Sequence, residues 1–90
     1  MTNIAKSKRN PDVSWRSIEG QAVLIHNRLG EIQVLNEVGT YIWENLDEDP
    51  KALARNISEL YEVSLKDAER DLAEFLDALR DSGALANDQG

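Results

Sequence analysis

The stretch "GEIQVLNEVGTYIWENL", residues 30–46, reads as a strand that passes into a helix with almost no loop. In "EIQVL" (31–35) apolar and polar residues alternate, the period-2 signature of a strand with one buried face. That alternation predicts Ile32 and Val34 facing in, with Glu31 and Gln33 facing out. Asn36 has the side-chain oxygen that caps a helix by accepting a backbone N–H of the first turn. Beyond it, Leu35, Val38, Ile42 and Leu46 form an apolar seam, with Trp43 near it. Gly39 falls inside this helix, where it costs about 1 kcal/mol relative to Ala. A residue that costly predicts close packing of helix backbone, here against the sheet.

Working outward, "VSWRSI" (13–18) also alternates, placing Val13 and Trp15 on one face and Ser14 and Arg16 on the other. "EG" (19–20) is a tight-turn signal, "QAVLIHN" (21–27) is apolar enough for a central strand, and "NRLG" (27–30) closes a second hairpin. Downstream, the first helix ends near "DED" (47–49). Asp49 is expected to cap a second helix that has Pro50 at its first position. Leu53, Ile57, Leu60 and Tyr61 make its buried stripe. Ser64 and Asp67 resemble a capping box, and a third helix runs over 65–82 until Gly83 stops it. Its apolar face is Leu65, Ala68, Leu72, Phe75, Leu76 and Leu79. The expected fold is α+β: a three-stranded antiparallel sheet followed by three helices, winged helix-turn-helix-like. Residues 1–10 read as a flexible basic tail, 11–86 as one domain and 87–90 as a frayed end.

Ninety residues without a cysteine rest on their apolar content alone, which is 41% of the chain. The longest apolar run is Ala22–Ile25, so no segment spans a membrane, and the N-terminus lacks the apolar stretch of a signal peptide. A cytoplasmic location without membrane attachment is expected. Net charge is −7, unevenly spread: the first ten residues carry Lys6, Lys8 and Arg9 and no acid. The remainder holds 7 basic and 17 acidic side chains, a net of −10. Such a body repels nucleic acid and attracts a basic partner or peptide.

Catalytic chemistry finds no constellation. His26 is the only histidine and has no second His or Cys with which to hold a metal. It reads as a strand residue near a turn. Ser14, Ser17, Ser58, Ser64 and Ser82 lack a base at any motif spacing. "DEDP" (47–50) lacks the spaced oxygen ligands and central glycine of a calcium loop and reads as a solvated turn. No glycine-rich phosphate loop is present. No cofactor, no metal and no enzymatic activity are expected. A winged-helix DNA-binding regulator is the alternative of another class. Its reading helix would set Lys66, Arg70 and Arg80 against Asp67, Glu69, Asp71, Glu74, Asp77 and Asp81, a net −3 before a polyanion.

A meander has two edges, and strand 31–35 leaves one side unpaired beside the third helix. Such an edge is either blunted by its charged residues or accepts an extended peptide as a further strand. Four backbone hydrogen bonds offer roughly 2–6 kcal/mol net, and two or three apolar anchors about 1.5–3 kcal/mol each. Peptide ordering takes back about 2–5 kcal/mol and association several more, leaving roughly micromolar affinity.

"LNEVGTYIWENL" (35–46) resembles the L-N-x-x-G-x-x-I-W-x-x-L signature of PqqD-like proteins. "DLAEFLDALRDSGAL" (71–85) resembles the closing pattern of the same family, and "WRSIEGQAVLIHNRLGEI" fits its two-hairpin opening, so the likeness covers about residues 11–86. The resemblance implies a recognition element for ribosomally made, post-translationally modified peptides (RiPPs). Such an element binds the leader segment of a precursor and presents it to a modifying enzyme. The leader then pairs with Glu31, Ile32, Gln33, Val34 and Leu35 and lies beside the third helix. There Leu72, Phe75, Leu76 and Leu79 face the sheet. Helical angles put Glu69, Ala73 and Arg80 on one margin of that stripe, and Asp71 and Ala78 on the other. Which margin faces the peptide stays open. The enzyme served is a leader peptidase of a lasso-peptide system or a radical SAM enzyme. Service as the precursor-peptide chaperone of pyrroloquinoline quinone synthesis is the alternative.

Overall fold

A two-residue turn starts the sheet. Glu19 (φ 52°) and Gly20 (φ 84°) both lie in the left-handed region, as a type I′ hairpin requires. In the computed structural model, which describes residues 8–86, this turn joins β1 (Val13–Ile18) to β2 (Gln21–His26). A four-residue turn ending in left-handed Gly30 leads to β3 (Glu31–Val34). The strand order is β1-β2-β3, all antiparallel. Three helices follow: α1 (Glu37–Glu44), α2 (Pro50–Leu60) and α3 (Leu65–Ser82). The expected α+β architecture and chain order are those observed.

The caps explain most of the boundaries. Gly39 N–H donates to Asn36 Oδ1 at 2.8 Å and Asp67 N–H to Ser64 Oγ at 3.0 Å. Gly83 (φ 86°) ends α3, with its N–H on Arg80 O at 3.1 Å and that of Ala84 on Leu79 O at 2.9 Å, a Schellman arrangement. Asp49 departs from expectation. It stands at the N-cap position and its carbonyl accepts from Leu53 N–H at 2.9 Å, but its side chain makes no cap bond, and Pro50 supplies the fixed φ of the first helical position.

Trp43, Leu24, Ile42 and Leu79 are the largest fully buried side chains, so sheet, α1 and α3 share one core. Two stripe residues lie elsewhere than their periodicity suggested: Leu60 is 59% and Leu65 46% exposed. Ala54, not Leu60, joins Leu53 and Ile57 as the buried residues of α2, which packs on α3. The shortest extent of the molecule is 17 Å. That accommodates one helical layer on one sheet, and among the described residues nothing covers the second face, where Ile18, Ile32 and Val34 are exposed.

Lys8–Asn10, read from sequence as part of a tail, pair with the segment after α3. Arg9 bridges to Leu85, Asn10 N–H donates to Ala84 O at 2.9 Å, and Ala86 N–H donates to Lys8 O at 2.7 Å. The Arg9 guanidinium lies 5.0 Å from the Trp15 ring centroid and 5.1 Å from that of Trp43, and it donates to Trp43 O at 2.6 Å. Order thus begins before Pro11. The rest of the expected tails, 1–7 and 87–90, lies outside the described residues.

Candidate functional site

The site begins with the register of β3. Leu24 and His26 are buried on the helix side of β2, and they pair directly with Gln33 and Glu31. Directly paired residues project to the same side of a sheet. Glu31, Gln33 and Leu35 therefore face the helices, while Ile32 and Val34 face away. This reverses the inside-out assignment expected from sequence. Ile32 is 68% and Val34 58% exposed, next to Val23 and Ile25 on the uncovered face. The amphipathic pattern was real, but its apolar half lies on the face that no helix covers. Gln33 is tolerated inside because His26 Nε2 lies 3.0 Å from its Oε1. The sequence reading of His26 as a strand residue beside a turn agrees with this position.

Backbone direction follows from one bond. Leu35 N–H donates to Ala22 O at 2.9 Å, so its polar groups point to β2. In an antiparallel ladder these directions alternate. Gln33 and Glu31 therefore also bond inward, and the N–H and C=O of Ile32 and Val34 point to the outer edge. Thr40 closes the inner side, accepting from Ala22 N–H at 2.9 Å and donating to Leu35 O at 3.4 Å. This clamp fixes the start of α1 to the end of the strand. Among the described residues no strand pairs with the outer side of β3.

Clefts walled by α3 open at both ends of that edge. Its Ser82 and Gly83 share a cleft of about 240 Å³ with Asp12 and Val13 at the start of β1, His26 at the end of β2, and Asn27, Arg28 and Leu29 of the β2–β3 turn. Its Asp71, Glu74 and Phe75 share one of about 400 Å³ with Asn36, Val38, Gly39 and Ile42. The helix thus passes from the residues just after β3 toward the β2–β3 turn and the start of β1. Gly39 permits the nearer contact: a Cβ there would lie 2.8 Å from Phe75 Cε1. The close approach predicted at Gly39 therefore exists, but its partner is the Phe75 ring of α3 rather than the sheet.

This geometry separates the two margins of α3. Asp71 faces α1 and the end of β3, whereas Glu69, Ala73 and Leu76 line a cleft of about 210 Å³ against Pro50, Lys51 and Ala54 of α2. Ala78 is exposed, and Arg80 is exposed with its guanidinium 2.8 Å from Asp77. Leu72 and Leu79 are core, and Phe75 and Leu76 are half-buried. Sequence reasoning did not assign Asn36, Val38, Ile42 and Glu74 to this cleft. The Asn36 cap and the Gly39 cost were the available signals, since both mark where α1 starts and what passes over it.

No group of three or more His, Asp or Glu side chains able to hold a metal occurs among the described residues. No described helix is long and apolar enough to cross a membrane.

A two-layer α+β domain with an open sheet edge running beside a helix defines a class of small recognition folds. The chain matches the family model for coenzyme PQQ synthesis protein D (PqqD) over residues 21–85, and it belongs to that family. Two solved structures are similar throughout. One, a lasso peptide synthetase B1 complexed with the leader peptide, has a TM-score of 0.87 and 29% identity, covering 92% of this chain and 100% of that one. The other, TbiB1 in complex with the TbiA(beta) leader peptide, has a TM-score of 0.83 and 30% identity, covering 92% and 99%. No curated protein matches the chain.

Proposed function

We propose that this protein is a non-catalytic adaptor of RiPP biosynthesis. It takes the leader segment of a precursor peptide as a fourth strand on β3 and presents the rest of the precursor to a separate modifying enzyme. The observation that carries the reading is the outward-pointing backbone of Ile32 and Val34 on an open sheet edge, with clefts walled by α3 at both of its ends. Antiparallel pairing offers a visiting chain four backbone hydrogen bonds there, two at each residue. Side chains on one side of the added strand enter the groove against Phe75 and Asp71, with Ala78 further along the same wall. Those on the other side continue the apolar surface of Ile32 and Val34. Glu31, Gln33 and Leu35 shape the groove floor rather than supplying the outward hydrogen bonds. Leu72 and Leu79 support α3 from beneath. Glu69, Ala73, Leu76 and Arg80 lie on the far side and serve the packing against α2 or its solvent face.

Among the enzymes served, a lasso-type leader peptidase is the one we favour, since both similar structures are leader-peptide complexes, one of them of a lasso peptide synthetase B1. Titrating the labelled protein with a synthetic leader from a candidate precursor tests the reading. Amide shifts at Ile32, Val34 and the Asp71–Ala78 side of α3 are expected. Shifts confined to the Asp47–Pro50 turn would refute it.

A further inference from the structure

We propose that the cleft between α1 and α3 selects a leader segment in which a large apolar side chain is flanked by Lys or Arg. The inference deepens the adaptor reading and rests on it.

The cleft is apolar at its base and acidic at its rim. Ile42 is buried, Val38 and Phe75 are half-buried, and the Gly39 backbone lies between them. Because Gly39 has no Cβ, the Phe75 ring lies down against α1 and the space above it stays open. About 400 Å³ falls within the usual range for binding clefts, roughly 300–1,000 Å³, and admits an aromatic or long aliphatic side chain. A polar or short residue would leave Val38 and Phe75 in contact with water.

The rim is formed by Asp71 and Glu74, both exposed and three residues apart on α3. Among the described residues neither has a cation within 4.0 Å. The arginines nearest in sequence are already engaged: Arg70 is 2.9 Å from Asp67, and Arg80 is 2.8 Å from Asp77. A third carboxylate, Glu31, stands on the helix side of β3 at the other end of the edge. An acidic residue entering here would meet like charge at close range, whereas a Lys or Arg beside the apolar anchor neutralises the rim. Charge of this kind sets on-rate and discrimination more than raw affinity.

The test is selection of a randomised, displayed peptide library on the intact protein, with competition for β3 followed by amide shifts of Ile32 and Val34. Peptides that engage β3 should be enriched in a large apolar residue with Lys or Arg within two positions. On D71N/E74Q the basic preference should disappear while the apolar anchor persists. On D71K/E74K the flanking residue should become Asp or Glu. A selected basic peptide should lose roughly three- to ten-fold in affinity on D71N/E74Q, as expected for two exposed charge pairs. That loss should vanish at high salt. Binders that engage β3 with no basic enrichment, or with the same enrichment on all three proteins, overturn this inference alone. A library that yields no peptide engaging β3 overturns the adaptor reading and the inference together.

Discussion

Substituting proline at two successive positions of β3 separates backbone pairing from side-chain effects. Proline removes one N–H and occupies its direction with the ring. In Val34→Pro the lost donor is the one that points to the open edge, a position where strands tolerate proline. The β2–β3 ladder keeps its bonds, so the stability change should stay below about 1 kcal/mol, or less than about 8 °C in Tm for a domain of this size. A bound peptide, however, would lose one hydrogen bond and bury an unpaired carbonyl, at about 1–3 kcal/mol. That is roughly 5- to 150-fold in Kd. In Gln33→Pro the lost donor is the one that points to Leu24, opposite it across the ladder. That change also removes the side-chain bond to His26. It should unfold the edge, lowering Tm by more than about 8 °C through roughly 2 kcal/mol or more. Fluorescence anisotropy with a labelled leader peptide measures binding, and thermal melts measure stability. Val34→Ala is the control, since it shortens the side chain but keeps the N–H. A well-folded Val34→Pro protein that binds like wild type would refute the reasoning. So would equal weakening by Val34→Ala and Val34→Pro, which would assign the effect to the side chain.

Three further outcomes follow from contacts elsewhere in the fold. Gly39→Ala gains about 1 kcal/mol of helix propensity but drives a Cβ to 2.8 Å from Phe75 Cε1 and 3.0 Å from Asn36 Oδ1. Overpacking of this kind costs about 1–3 kcal/mol, so denaturant unfolding should show no net gain, and a stabilised variant would contradict the packing described. Arg9→Ala should cost about 1–2 kcal/mol through two ring contacts and the bond to Trp43 O, and change tryptophan emission. Arg9→Lys should recover only part, because an ammonium lacks the planar fork. Burial first, then Glu37 and Tyr41, raises the Tyr61 phenol above its ordinary value of 10.0. The folded state therefore holds that proton more tightly, and the associated stability is full below about pH 10 and is lost as pH rises through the folded value. Tyrosinate absorbance should show a late-titrating group that Tyr61→Phe removes.

Helix boundaries were legible in the sequence because they are set locally. Asn36, Ser64 and Gly83 each act within a few residues of themselves, and each occupies the position its chemistry predicts. The facing of β3 was not legible, because alternation shows that two faces differ without showing which one is covered. Only the register with β2, fixed by Leu35 on Ala22, decides that Gln33 goes inside. Leu60 and Leu65 illustrate the same limit for helices, since each satisfies its periodicity on a surface to which no neighbour comes. The part played by Arg9 depends on Trp43, 34 positions away, and on the bridge to Leu85 as well as on nearby Trp15, and no local pattern carries it. The open edge itself was foreseen from strand order alone, whereas the margin of α3 beside it required the two clefts to be seen in place.

The bridge between Lys8 and Ala86 has a consequence for how the domain can be carried. Entry and exit of the described chain are a hydrogen bond apart, 2.7 Å between Ala86 N and Lys8 O. They are held by Arg9 packing on Trp15 and Trp43. Adjacent ends of this kind let a module be spliced into a host surface loop with little distortion. A host enzyme grafted there would reach a peptide held on β3 only as far as its tether allows, so tether length, not the groove, would set which peptide bonds come within range.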